Sequence, residues 1–166
     1  MIQNFAHLVK KGVEETIVKE SVFADNFADN YGVDLVASTQ FQNRNGGFDF
    51  TLPIKVEYKS AKWLRRSDQE AGLPPNYDLI WLELKNNYGN PGWLYKEAHC
   101  FVFELERHYL TVFAEELRSF VSNLTLVKGK GRVPGTLITR YGRQDEITLV
   151  KTLDLISLTN SFLVPK

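Results

Sequence analysis

The stretch FDFTLPIKVEYKSAK, residues 48–62, constrains this chain more than any other. Phe48, Phe50 and Leu52 precede Pro53, and beyond it Ile54, Val56 and Tyr58 alternate with Lys55, Glu57 and Lys59, the period of a half-buried strand. Glu57 and Lys59 therefore share a face. A hairpin turning at Pro53 opposes residues whose numbers sum to twice that position, which sets Asp49 across from Glu57. Directly opposed acids repel unless positive charge lies between them, and a divalent cation would supply it. Asp34, between Val33 and Leu35 in the strand-like run Tyr31–Ser38, is the alternative first acid. Asp49 is preferred because its separation from Glu57 suits a tight hairpin, whereas Asp34 needs a third strand to arrive in register.

Bulk properties narrow the remaining choices. A chain of 166 residues with 43% hydrophobic and 24% charged residues matches one globular domain with a sizeable core. The formal net charge is zero, so any contact with nucleic acid has to come from a local basic patch. Cys100, the lone cysteine, sits in an apolar run and reads as a small buried hydrophobe. No disulfide framework exists, the first residues lack a signal-like apolar segment, and no apolar run is long enough to span a membrane. A cytoplasmic protein with no membrane partner is expected. His7, His99 and His108 lack ligand spacing, and no phosphate-cradling glycine loop or nucleophile elbow occurs.

Read in order, residues 3–24 form a helix with Phe5, Leu8, Val9, Val13, Ile17, Val18, Val22 and Phe23 on a broad apolar arc. Glu14 falls nearly opposite that arc and Glu15 at its edge, so Glu15 is better aimed toward a sheet, while both also suit a solvated helix surface. The segment Gln40–Gly47, rich in Asn and Gln and ending in Gly-Gly, reads as a turn. After Lys59, the run Ser60–Arg66 sets Lys62, Arg65 and Arg66 beside Trp63: a phosphate-contacting patch with a stacking ring, or equally a solvated strand end. Ser67–Asn76 connects to a strand over Tyr77–Lys85, whose Glu83 and Lys85 need partners, at the site or as an edge ion pair. Trp93–Ala98 makes a helical turn. His99–Glu106 and Tyr109–Phe113 are antiparallel strands, and Phe113–Asn123 is a helix with acids in its first turn. Lys128–Arg132 is a basic glycine loop, Thr136–Tyr141 and Glu146–Leu153 form a final hairpin, and Asn160–Lys166 frays.

Asp49 followed by Glu57-Tyr58-Lys59 resembles the core of the PD-(D/E)xK nuclease superfamily, with Glu14 or Glu15 as its helix acid. The segment Trp81–Tyr95, WLELKNNYGNPGWLY, is similar to one found in small phage-encoded members, and the resemblance runs from about residue 10 to about residue 156. Phe48 stands where the name-giving proline would be. The resemblance implies a restriction-endonuclease-like domain, Mg²⁺ or Mn²⁺ held by Asp49 and Glu57, Lys59 as the catalytic lysine and Glu15 as accessory acid. It also implies that Glu83 and Lys85 stand near the site, that DNA is the partner, and that branched DNA is one candidate substrate. Recognition of DNA structure calls for a homodimer or a wedge, and the sequence distinguishes neither.

The expected architecture is α/β: a central mixed sheet of four to six strands, the N-terminal helix on one face and the Phe113 helix on the other. The expected function is a metal-dependent nuclease. The competing expectation keeps the fold and drops the chemistry, giving a nuclease-fold binding or virion-associated protein.

Overall fold

The structure, a computed structural model, describes residues 18–28, 35–47, 49–52 and 54–166. Its architecture is α/β with a mixed sheet. After a helix at 18–28 (α1) come β1 (Val36–Ala37), α2 (Gln40–Gly46), β2 (Phe50–Leu52) and β3 (Ile54–Lys59). α3 (Arg66–Glu70), β4 (Leu79–Lys85), a 3₁₀ turn at Trp93–Tyr95, β5 (Cys100–Glu104), β6 (His108–Phe113) and α4 (Ala114–Ser122) follow. The chain continues through β7 (Val127–Lys128), β8 (Thr136–Leu137), β9 (Glu146–Lys151), α5 (Thr152–Ile156) and β10 (Ser161–Pro165). Among the described residues no helix is long and apolar enough to cross a membrane.

Six strands form the main sheet in the order β1-β2-β3-β5-β6-β10. All neighbours are antiparallel except β3 and β5, whose parallel pairing requires the long crossover between them. Strand β5 is apolar on successive residues, because both of its faces are covered. Cys100 and Val102 join Phe23 of α1, Phe50, Val56, Tyr58, Tyr109 and Val164 on one side. Phe101 and Phe103 join β4, β9, α4 and α5 through Leu82, Val150, Leu117 and Leu155 on the other. α1 and α4 thus cover opposite faces, in keeping with the expected architecture. Phe23 is fully enclosed, 4.9 Å from the Tyr109 ring and 5.5 Å from that of Tyr58. Burying such a ring is worth roughly 2–3 kcal/mol, enough to seat α1 firmly. Cys100 is buried there, and that burial pushes its thiol up to about 12.

Several expected segments differ. Gln40–Gly46 is a helix rather than a turn: Thr39 and Gln42 form a reciprocal capping box, and Gly47 closes it at φ 69°. The last hairpin does not form as expected. β9 pairs along its length with β4 in a separate two-stranded ribbon, leaving Ile138 and Ile147 as a single bridge, while β8 pairs in parallel with β7. Leu153 belongs to α5. The final residues do not fray; β10 closes the sheet edge on β6, with Val164 fully buried.

Gly92 sets the distance between the β4 ribbon and the Trp93 turn. A Cβ there would lie 2.2 Å from the Glu83 carbonyl oxygen and 2.9 Å from the Leu84 carbonyl carbon, both backbone atoms that cannot rotate aside. Gly92→Ala is therefore expected to lower stability by about 1–3 kcal/mol. An unchanged urea midpoint would show that the turn does not approach the strand so closely.

Candidate active site

Because β2 begins only at Phe50, the end of β3 has no ladder partner on its β2 side. Phe50 opposes Val56, Thr51 opposes Lys55 and Leu52 opposes Ile54, the register expected from the sequence. Asp49 lies just beyond, in a bend. Its N–H donates to the Val56 carbonyl at 2.7 Å, so it does not continue the ladder as the partner of Glu57. Its carboxylate instead accepts the Tyr58 N–H at Oδ2, 2.7 Å away, and the Asn43 amide of α2 at Oδ1. Asp49 thereby satisfies a strand N–H that would otherwise be buried without a partner.

Val56 and Tyr58 pack on the α1 side, so alternation turns Glu57 and Lys59 to the other side. The Lys59 ammonium donates to Glu57 Oε1 and lies 4.7 Å from the centroid of the Trp93 ring. Glu57 Oε2 is buried and, among the described residues, has no hydrogen-bond partner. Asp49 and Glu57 are only 7% and 5% exposed, an unusual depth for two acids. Burial, opposed by Lys59 and reinforced by the Asp49 charge, pushes Glu57 up to about 7. Burial also raises Asp49, against the pull of Lys59, the Tyr58 N–H and Asn43.

A third acid, Glu20 of α1, feels the charges of Asp49 and Lys59. Glu20 is raised to about 7 by burial and by the Asp49 charge, with Lys59 pulling it down. The helix acids expected from the sequence, Glu14 and Glu15, lie outside the described residues, as does the alternative strand acid Asp34. Glu20 stands three residues before Phe23 and hence on the same helical face. Anchoring the helical wheel on Phe23 would have singled it out. Next to it, Lys19 pairs with Glu104 of β5 at 3.0 Å, fixing the helix against the sheet.

The basic patch faces a cleft of about 660 Å³. Lys62, Trp63, Arg65 and Arg66 all line it, together with Lys19 and with Arg132 and Arg140 from the distant C-terminal part of the chain, which the sequence pattern did not reveal. Trp63 is held by its indole N–H on the Leu73 carbonyl at 2.6 Å, and Arg132 donates to the Leu64 carbonyl. Lys62 is open to water yet walled in by the cleft; this desolvation, with the nearby ammonium groups of Lys59 and Lys19, lowers its pKa despite Glu104. Glu83 borders the same cleft and accepts the Trp93 N–H at 3.4 Å. Lys85 does not reach the site: β4 lies in the ribbon and not beside the hairpin, and Lys85 pairs with Glu146 across β9 at 3.0 Å. Neither Asp49 nor Glu57 lines the cleft. The connection runs through Lys59, which borders a smaller space of about 100 Å³ sharing Lys62, Trp81 and Trp93 with it.

Among the described residues no three His, Cys, Asp or Glu side chains converge as a metal-holding group. Mg²⁺ is held by one or two carboxylates and keeps several waters, so the Asp49–Glu57 pair fits it on the chemistry of its donors and on the unpartnered Glu57 oxygen. No family model matches the chain, and neither a curated protein nor a solved structure matches it.

The raised acids have a measurable consequence. Glu57 titrates near 7 in the native protein but near 4.5 in an unfolded chain, so between these values the native state holds the proton more tightly. Stability present below pH 4.5 is then lost as pH rises toward 7, by about 3 kcal/mol from this residue, and Glu20 adds in the same direction. In metal-free buffer the melting temperature should fall from pH 5 to pH 8, and Glu57→Gln should flatten the slope. A curve equally steep in the variant would remove Glu57 as the cause.

Proposed function

We propose that this chain is a metal-dependent nuclease that hydrolyses phosphodiester bonds, with DNA as the expected substrate. The observation that carries the reading is a buried carboxylate oxygen on Glu57 without a partner among the described residues, beside the buried Asp49 and the Lys59 ammonium. Retaining such a group uncompensated is costly, and it becomes favourable when a cation is added. The resemblance to the PD-(D/E)xK superfamily points the same way.

In this reading Asp49 and Glu57 hold Mg²⁺ or Mn²⁺. The bound ion would activate water and neutralise phosphate charge. Asn43 and the Tyr58 N–H fix the Asp49 carboxylate, so its rotamer is set before any ion arrives. Lys59 offers ammonium protons to the attacking water or to a phosphate oxygen as negative charge develops there. Glu20, drawn toward Asp49 by the seating of α1, takes the accessory role expected of a helix acid and orients water at the Asp49 edge. Trp93 holds Lys59 over its ring and limits where the ammonium can swing.

A second reading rests on one specific observation: the acids lie beside the basic cleft and not in its wall. A nuclease-fold protein that binds nucleic acid without cutting it would have that arrangement too. The two separate on metal response. Mg²⁺ or Mn²⁺ should raise the melting temperature more at pH 8 than at pH 5.5, because protons compete for the same oxygens, and Asp49→Asn should abolish the rise. Absence of any metal effect at either pH favours the binding protein.

Activity is tested with labelled linear, circular, single-stranded and branched DNA in Mn²⁺. Lys59→Ala is expected to reduce cleavage by about a hundredfold or more. Cleavage that survives this substitution would assign the activity to another site or to a contaminant.

A further inference from the structure

All three tryptophans of the chain, Trp63, Trp81 and Trp93, line the same cleft. Each is half-buried, so each ring is held by the protein yet still meets solvent. They come from the segment after β3, from β4 and from the 3₁₀ turn, so no local sequence pattern forces them together. Among the described residues, six cationic side chains share that wall with one acid, Glu83, although the chain as a whole carries no net charge. We propose that this cleft seats a short unpaired stretch of nucleic acid, its bases against Trp63 and Trp81 and its phosphates along Lys62, Arg65 and Arg132, and that the protein engages single-stranded or frayed DNA in preference to continuous duplex.

A cavity of about 660 Å³ has the size of a pocket for a small ligand. It admits one or a few unstacked nucleotides, whereas a double helix presents its phosphates over a broad convex surface with its bases stacked inside. Half-exposed indoles inside a cationic groove are the common solution for holding bases without reading their sequence. Two of the rings are restrained: Trp63 by its indole N–H on the Leu73 carbonyl, and Trp93 by packing on Phe101 at 5.1 Å, in a segment whose backbone N–H is held by the Glu83 carboxylate. Little freedom of the Trp63 ring is therefore lost when a base stacks on it. Lys62 lies among Lys19 and Lys59, and a phosphate would relieve their mutual repulsion. Because Lys59 bonds Glu57, a strand lying on Lys62 would pass beside the acid pair.

This inference takes the identity of the ligand from the nuclease reading, but its test needs no cleavage. With every tryptophan in the cleft, intrinsic fluorescence reports its occupancy without a label. The full chain is titrated in EDTA with an oligothymidine of about twelve nucleotides and, separately, with a blunt duplex of matched length. Quenching by the single strand at an affinity at least tenfold above that for the duplex is expected. Trp63→Ala should weaken the single strand about five- to a hundredfold, with partial recovery in Trp63→Phe, and the paired surface change Lys62→Gln with Arg65→Gln should make binding less dependent on salt. Equal affinity for the two DNAs, or tight single-strand binding unaffected in both Trp63→Ala and the double charge variant, overturns the proposal. Single-strand binding without cleavage in Mn²⁺ would uphold the cleft and remove the nuclease; cleavage without single-strand preference would do the reverse.

Discussion

Carboxylates withdrawn from water and kept near one ammonium group are the constraint around which this molecule is arranged. Asp49 occupies the point where β2 stops, and its side chain replaces the backbone acceptor that a longer strand would have given to Tyr58. One side chain thus completes the sheet edge and carries charge at that edge. From this in-plane position it acts on Glu57 and on Glu20, although Glu57 belongs to the face opposite α1. Lys59 is the common counter-charge, and burial still outweighs it in setting where Glu57 and Glu20 titrate.

The packing explains why such an arrangement can persist. Two apolar cores, one on each side of the sheet, flank the acids, and most of the buried side chains are aliphatic or aromatic. Those cores supply the favourable free energy against which a few unfavourably buried charges are tolerated. Arg118 of α4 contributes differently: its guanidinium donates to the carbonyls of Leu94, Lys96 and Ala98, tying down the segment that carries Trp93. The ring over Lys59 is thereby braced from the helix behind it.

Much of the sheet was legible in the sequence because its strands repeat every two residues and its helices every three or four. β3 follows from its two-residue alternation and α4 from its helical spacing, while β5 and β6 follow from short apolar runs bounded by polar residues; which sheet face each helix covers is set by the fold and not by the period. Asp49, Glu57 and Lys59 stood out through the same alternation around a proline. Other features depended on distance along the chain. No pattern in residues 146–151 states that β4, and not β8, is their principal partner. Arg132 and Arg140 reach the cleft only through tertiary folding. α2 was misread for a local reason: its Asn and Gly content signals a turn, while the Thr39–Gln42 capping box that starts it was the stronger cue. Glu14 and Glu15, the helix acids expected from the sequence, lie outside the described residues; within α1 it is Phe23 that is fully enclosed, and Glu20 shares its face.

Glu104 joins three separate parts of the chain at one carboxylate. Its carboxylate takes Lys19 of α1, the Ala61 N–H at the cleft wall, and Lys166 beyond β10. Burial opposes its ionisation, yet those partners together hold it below the usual carboxylate range, so it remains an anchor even in mildly acidic solution. The helix that bears Glu20 and the wall that bears Lys62 are consequently fastened to one bolt, so that acid cluster and groove share an anchor.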